Sequence, residues 1–176
     1  MSDMSKIIEK QERVLKRLEN ELQEALVPAR VRGKDDEIPS ALLTVLYTEV
    51  GSGLDEVIGE YTFLPAEEGD GATFFTSMLT ITDNLPQDNL DELRKAVARL
   101  NLYLPQGSVG IDIDDKRLGY KFGVPVPLDI DENALFELIN MYVTTGYIQV
   151  DRYVDMLLQI AAGEATAEEL LSDYED

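Results

Sequence analysis

Leu128–Gly163, LDIDENALFELINMYVTTGYIQVDRYVDMLLQIAAG, is the longest apolar-periodic run in the chain, and what it forms decides what the rest packs on. Asp129, Asp131 and Asn133 stand just ahead of the periodic residues, where short polar side chains accept from free helix N–H groups. Leu135, Leu138, Ile139 and Tyr142 follow at spacings of three and four, and Phe136 and Val143 widen the stripe. That width predicts a helix buried over much of its circumference. Thr144, Thr145 and Gly146 interrupt the pattern and predict a helix end, with Gly146 free to take positive φ. A second helix is expected from about Gln149 to Ala162 on Val150, Tyr153, Val154, Leu157, Leu158 and Ala161, closed by Gly163. Two helices with so short a link predict an αα-hairpin.

Upstream of this run the period changes from helical to alternating. Val109, Ile111 and Ile113, then Leu118, Tyr120, Phe122, Val124 and Val126, predict a hairpin turning at Asp114–Arg117. Pro125 cannot donate to a ladder, so its strand should end there or lie at an edge. Before the hairpin, Leu90, Leu93, Val97 and Leu100 predict a helix within Pro86–Leu104, with Asp88 and Asn89 as cap candidates. Three further strands are expected at Ala41–Val50, Val57–Leu64 and Thr73–Thr82, close enough in sequence for an antiparallel meander.

Both termini read as helices of another kind. Ile8, Leu15 and Leu22 recur every seven residues with Leu18 between them, an a/d seam over residues 4–26. The pairs Glu9–Arg13 and Glu12–Lys16 support that helix from its polar side. The seam must either pair with a second copy or dock on the body. Val27–Ser40, with its two prolines, one glycine and mixed charge, reads as a connector. After Gly163, Thr166 and Glu169 form a capping-box pattern for a short last helix. Ser172–Asp176 is expected to fray.

Charge and composition exclude whole classes of function. The formal net charge is −20, with 15 Lys/Arg against 35 Asp/Glu. Residues 1–37 are nearly balanced, so almost all of the excess lies in residues 38–176. A body this acidic repels phosphate backbones and anionic membranes, and attracts basic or amphipathic polypeptides. No apolar run is long enough to span a bilayer, and the charged N-terminus lacks the apolar core of a signal peptide, which predicts a cytoplasmic protein. With no histidine and no cysteine, His-based triads, imidazole metal sites and thiol nucleophiles are absent. Gly51-Ser-Gly53 and Gly69-Asp-Gly71 lack the lysine and helix that a phosphate loop needs. Two Asp clusters remain. Asp112, Asp114 and Asp115 fit a turn. Asp129, Asp131 and Asn133 resemble half of a calcium loop, but Ala134 and Asn140 stand where glycine and a bidentate glutamate belong. No catalytic residue, metal ligand or cofactor is therefore assigned.

The order of elements in LRKAVARLNLYLPQGSVGIDIDDKRLGYKFGVPVPLD, followed by a helical hairpin ending in AAG, resembles the bacterial YbjN-like family. The matching points are the helix ending at Leu100-Asn101, the Ile111 strand, the Asp115 turn, the Tyr120–Val124 strand and Pro127-Leu128-Asp129. The resemblance extends over about Leu42–Gly163. It implies the fold of type III secretion chaperones, a curved antiparallel sheet with flanking helices. It also implies a noncatalytic protein, regulatory or chaperone-like, commonly dimeric.

The expected fold is therefore α+β, a curved antiparallel sheet of about five strands in the order β-β-β-α-β-β-α-α, packed on helices, with a coiled-coil-like N-terminal helix. Its divisions are a heptad helix over 1–27, a linker over 28–40, the α/β domain over 41–163 and a short acidic helix and tail over 164–176. The expected function is that of an acidic, self-associating protein-binding module. Ile8, Leu15, Leu18 and Leu22 are the candidates for oligomerisation, and Phe74 and Met78, on the outer sheet face, for partner binding. A carboxylate- or metal-dependent enzyme and a structural subunit pairing its first helix with another protein are the alternatives.

Overall fold

The computed structural model describes residues 3–35 and 38–171. Its elements run α1 (Asp3–Glu24), β1 (Ala29–Arg32), β2 (Leu42–Val50), β3 (Asp55–Phe63), β4 (Ala72–Thr82), α2 (Leu90–Tyr103), β5 (Ser108–Asp112), β6 (Arg117–Pro127), α3 (Glu132–Ala162) and α4 (Ala167–Leu171). The protein is α+β, and its antiparallel sheet is open, with strand order β1-β2-β3-β4-β6-β5. The sixth strand is β1. It lies inside the stretch expected to be a linker, and pairs with β2 from Ala29↔Val45 to Arg32↔Leu42. Its four residues are too few to show an alternation, so the prolines and glycine around it dominate the sequence signal.

Packing divides the chain into two compact units, and each has its own core. The first comprises Met1–Tyr47, Ile58–Met78 and Gly123–Thr145. Here one face of the sheet is buried: Leu43, Val45 and Tyr47 of β2, Tyr61 and Phe63 of β3, and Phe75 of β4. The ring of Phe75 lies 5.1 Å from that of Phe63 and 6.2 Å from that of Tyr61. The Tyr47 and Tyr61 hydroxyls share a hydrogen bond of 2.8 Å, which satisfies both buried oxygens. Gly59 makes room for them, since a Cβ there would stand 2.8 Å from the Tyr61 ring and 3.0 Å from that of Tyr47. Val14, Leu15 and Leu18 of α1 and Leu135, Phe136 and Ile139 of α3 complete this core.

The second unit comprises Thr48–Val57, Leu79–Phe122 and Gly146–Asp176. Its core joins Leu93, Ala96 and Leu100 of α2, Leu118, Tyr120 and Phe122 of β6, and Val154, Leu157 and Ile160 of α3. The β5–β6 hairpin turns over residues 113–116, one residue earlier than expected, with Asp112 paired to Arg117. Lys116 takes the positive φ of 51° that closes it. The Tyr120 hydroxyl donates to the Gln106 carbonyl at 2.7 Å, and burial pushes its pKa up to about 12.

The expected αα-hairpin is one helix. α3 runs unbroken through Thr144, Thr145 and Gly146 for 31 residues. Gly146 is there for proximity rather than for termination: a Cβ would lie 2.9 Å from the Phe122 ring, within the same unit. The helix ends at Gly163 as expected. With Gly163 at φ 76°, its N–H bonds the Ile160 carbonyl at 3.0 Å and that of Glu164 bonds Gln159 at 2.9 Å, the pair of bonds of a Schellman cap. α3 and α4 are thus the last two helices of the observed order. The Thr166–Glu169 capping box that opens α4 is formed in both directions, at 2.8 and 3.3 Å. Asn89, a cap candidate for α2, makes no side-chain cap and instead donates to the Ala161 carbonyl at 3.3 Å. Ser172–Asp176, expected to fray, lies outside the described residues.

Candidate functional site: the open face of the sheet

Within the first unit the second face of the sheet has no such core. It begins at β1, where Arg30 lies opposite Thr44 and Arg32 opposite Leu42. Period-two alternation puts Leu46 of β2, Ile58, Glu60 and Thr62 of β3, Leu64 just beyond its end, and Phe74, Thr76 and Met78 of β4 on the same side. Ile58 and Leu64 are each 46% exposed and Phe74 is 50% exposed, while Met78, Leu42 and Leu46 are half-buried. A cleft of about 830 Å3 opens between β1 and β2, over Leu42, Thr44 and Leu46, with Arg30 and Arg32 among its walls.

Two approaches fix how β4 and β6 lie. The Leu128 N–H bonds the Gly71 carbonyl at 3.1 Å, and the methyl group of Thr76 lies 3.6 Å from where a Gly123 Cβ would be. Both belong to one register, and that register sets Phe74 opposite Pro125. Thr76 also donates to the Thr62 carbonyl at 3.4 Å, and Thr62 to that of Ala41 at 2.9 Å. The threonines are thereby tied down to backbone, so the relief of this face is set by its larger apolar side chains.

Side chains cover part of each outer edge of the sheet. The Leu46 N–H bonds the Pro28 carbonyl, so Ala29 and Val31, one step out of phase, turn their backbone groups away from β2. Two residues of α1 meet them. Glu19 Oε1 accepts the Val31 N–H at 2.9 Å, and Gln23 Nε2 donates to the Ala29 carbonyl at 2.8 Å. In the second unit Asn101 does both jobs for β5, accepting from the Val109 N–H at 2.8 Å and donating to its carbonyl at 3.0 Å. β5 reaches only as far as Lys121 of β6. Beyond that point the β6 positions whose N–H would face the vacated edge are 123, 125 and 127, and two of these are proline. Pro125 thus lies at an edge, as the sequence predicts. Such cover blunts an edge against the addition of a further strand.

The other predicted site residues lie elsewhere. Leu15 and Leu18 are 0% and 1% exposed inside the first unit's core, and Ile8 and Leu22 are half-buried. Of the two uses open to the seam, the structure shows docking in cis, which removes Leu15 and Leu18 as contacts for a second copy. The basic side of α1 explains the choice. Lys10 Nζ donates to the Leu128 and Ile130 carbonyls at 2.9 and 2.7 Å, and Arg13 pairs with Glu132 at 2.8 Å. Arg17 lies 3.6 Å over the Phe136 ring. Heptad spacing carries no information about such partners. Arg13 bonds Glu132 and also feels the expected Glu9 carboxylate, and Glu12–Lys16 forms at 3.0 Å.

The Asp clusters resolve into local structure. Asp131 accepts from the Asn133 and Ala134 N–H groups at 2.9 and 3.3 Å, capping α3. Asp112 accepts from Asp115 N–H at 3.1 Å within the hairpin turn. Among the described residues no group of three or more His, Cys, Asp or Glu could hold a metal ion. Among the same residues no helix is long and apolar enough to cross a membrane.

One carboxylate pair escaped the sequence reading. Asp155 accepts from the Ser52 N–H and hydroxyl, both at 2.8 Å, and from the Gly53 N–H at 3.1 Å, while Asp151 accepts from Gly51 N–H at 2.9 Å. Burial works to raise the Asp155 pKa, but the bonds from Ser52 and Gly53 outweigh it and hold the group below the usual carboxylate range. Spacing of four on α3 is the only signal that sequence offers for this clasp. No protein-family model matches the chain, and no curated protein matches it either.

Proposed function

We propose that the chain is a noncatalytic, cytoplasmic protein-interaction module of the YbjN-like, secretion-chaperone-like kind, and that it binds through the open face of its sheet. The observation that carries this reading is the half-exposure of Ile58, Leu64 and Phe74 on one side of a sheet whose outer edges are partly covered. Scattered apolar residues on a surface are ordinary, but Leu64 and Phe74 stand side by side, the Leu64 N–H bonding the Phe74 carbonyl at 2.8 Å, and adjoining exposed apolar side chains on one sheet face suit an interaction site. The partial cover of the edges favours contact by side chains over added strands. The lack of histidine and cysteine supports a role in binding over one in chemistry.

The test is capture from the source cell with the wild-type chain and with Phe74→Glu as paired baits. Phe74 is half exposed, so the substitution leaves the core intact. The reading expects proteins held by the wild type and lost with the variant. Identical captures with both baits overturn it.

A further inference from the structure

We infer that the cleft between β1 and β2 is a binding site for a free aliphatic carboxylate, an inference that goes beyond the protein contact at Phe74 and does not rest on it. The cleft has a volume of about 830 Å3, within the range of roughly 300–1,000 Å3 typical of small-molecule sites. It lies wholly within the first unit, and β4, which carries Phe74, stands two strands beyond β2. Its walls run counter to the charge of the chain. Against a formal net charge of −20, the charged side chains that line it are two arginines, with no Asp or Glu among the described lining residues. Glu56 and Glu60 of β3 lie outside the lining. Arg32 is already held by Asp35 at 2.7 Å. Arg30 is exposed and, among the described residues, has neither an ion pair nor a side-chain hydrogen bond. One guanidinium is therefore open to a ligand, and its planar fork matches a carboxylate through two parallel hydrogen bonds.

The cleft is polar at one end and apolar at the other. Arg32 lies opposite Leu42 and Arg30 opposite Thr44. Further along β2, the Leu46 N–H bonds the Pro28 carbonyl at 2.8 Å, so two apolar side chains meet at that end. The floor from Leu42 to Leu46 spans about 13 Å, four residues at ~3.3 Å each. A carboxylate on Arg30 thus directs an attached alkyl chain over Leu46 and Pro28. A peptide suits the same walls less well, because its amides need partners. The β1 backbone is already engaged, by β2 on one side and on the other by Glu19 and Gln23, which take the Val31 N–H and the Ala29 carbonyl. A polyphosphate is disfavoured too, since each further negative charge meets the field of the acidic body.

Isothermal titration calorimetry of the full chain with decanoate, kept below the concentration at which it aggregates, tests this. One saturable site is expected. Decanol, which has the tail without the charge, should bind about tenfold more weakly, the worth of a charge-assisted hydrogen bond. Arg30→Gln should weaken decanoate by the same factor and leave decanol unchanged, a split that a merely structural role for Arg30 would not produce. Arg30 is exposed, so the variant keeps its fold, and an unchanged circular-dichroism melt checks that. A tripeptide ending in leucine, with its free carboxylate, should bind more weakly than decanoate. Phe74→Glu should leave decanoate binding intact. The absence of a saturable site, equal affinity of wild type and Arg30→Gln for decanoate, or tighter binding of the tripeptide overturns the proposal. Loss of decanoate binding with Phe74→Glu overturns it as well, by placing the ligand outside the cleft. The protein contact is read at Phe74 and the ligand at Arg30, so either can fail alone.

Discussion

The carboxylate of Glu19 accepts the outward N–H of Val31 at 2.9 Å and so does for the edge of the sheet what a further strand would do. Gln23, one turn later, treats the Ala29 carbonyl in the same way. Glu19→Ala is expected to cost about 1 kcal/mol of stability, the usual worth of one hydrogen bond. Joined with Gln23→Ala it should convert β1 into a sticky edge. Light scattering during incubation should rise for the double variant and stay flat for Glu19→Gln, whose amide oxygen can still accept. A double variant as quiet as the wild type would mean that the edge needs no cover.

Leu15→Ala and Leu18→Ala are each expected to lower stability by about 2–5 kcal/mol, the range for fully buried leucines. Chemical denaturation measures it. A seam that served only to pair chains would leave the stability of the monomer unchanged by either substitution.

The clasp of Asp155 on the Gly51–Gly53 turn predicts a pH dependence. Its folded pKa is lowered, so its contribution is complete above the unfolded value of about 3.9 and is lost as pH falls through the folded one. Asp155→Ala should cost about 1–2 kcal/mol at neutral pH through the lost bonds. The gap between wild type and variant should shrink as urea titrations move into the acid range. A gap independent of pH would place the effect of the substitution elsewhere.

Gly146→Ala replaces the worse helix former with the better one, a gain of about 1 kcal/mol in an exposed helix. Here the new methyl group meets the buried Phe122 ring at 2.9 Å, and overpacking of this kind costs about 1–3 kcal/mol. The variant is therefore expected to melt below the wild type. Adding Phe122→Leu should recover part of the loss. A melting point above that of the wild type would show that the ring yields freely.

These four sites also show how far the sequence can be read. The strands at β2, β3, β4 and β6 follow from alternation, and the caps at Asp131, Thr166 and Gly163 from residue type, because each depends on chemistry within a few positions. The continuity of α3 does not. Thr-Thr-Gly is a breaker by local rules, and only the ring of Phe122 explains the glycine. Glu49, at φ 59°, shifts the phase of β2 so that Tyr47 and Val50 are both buried, which strict alternation cannot anticipate. The site divides in the same way. The open face around Phe74 and Met78 is legible because a strand has two sides. The guards on its edges, Glu19, Gln23 and Asn101, act across the fold and leave no periodic trace.

The proposed contact with a protein partner runs through the open face of the sheet. A photo-crosslinking amino acid placed at Phe74, and separately at Leu102, which is 80% exposed on α2, tests it most directly in the source cell. Discrete crosslinked adducts are expected from position 74 and none from position 102. Adducts from 102 with none from 74 would contradict it.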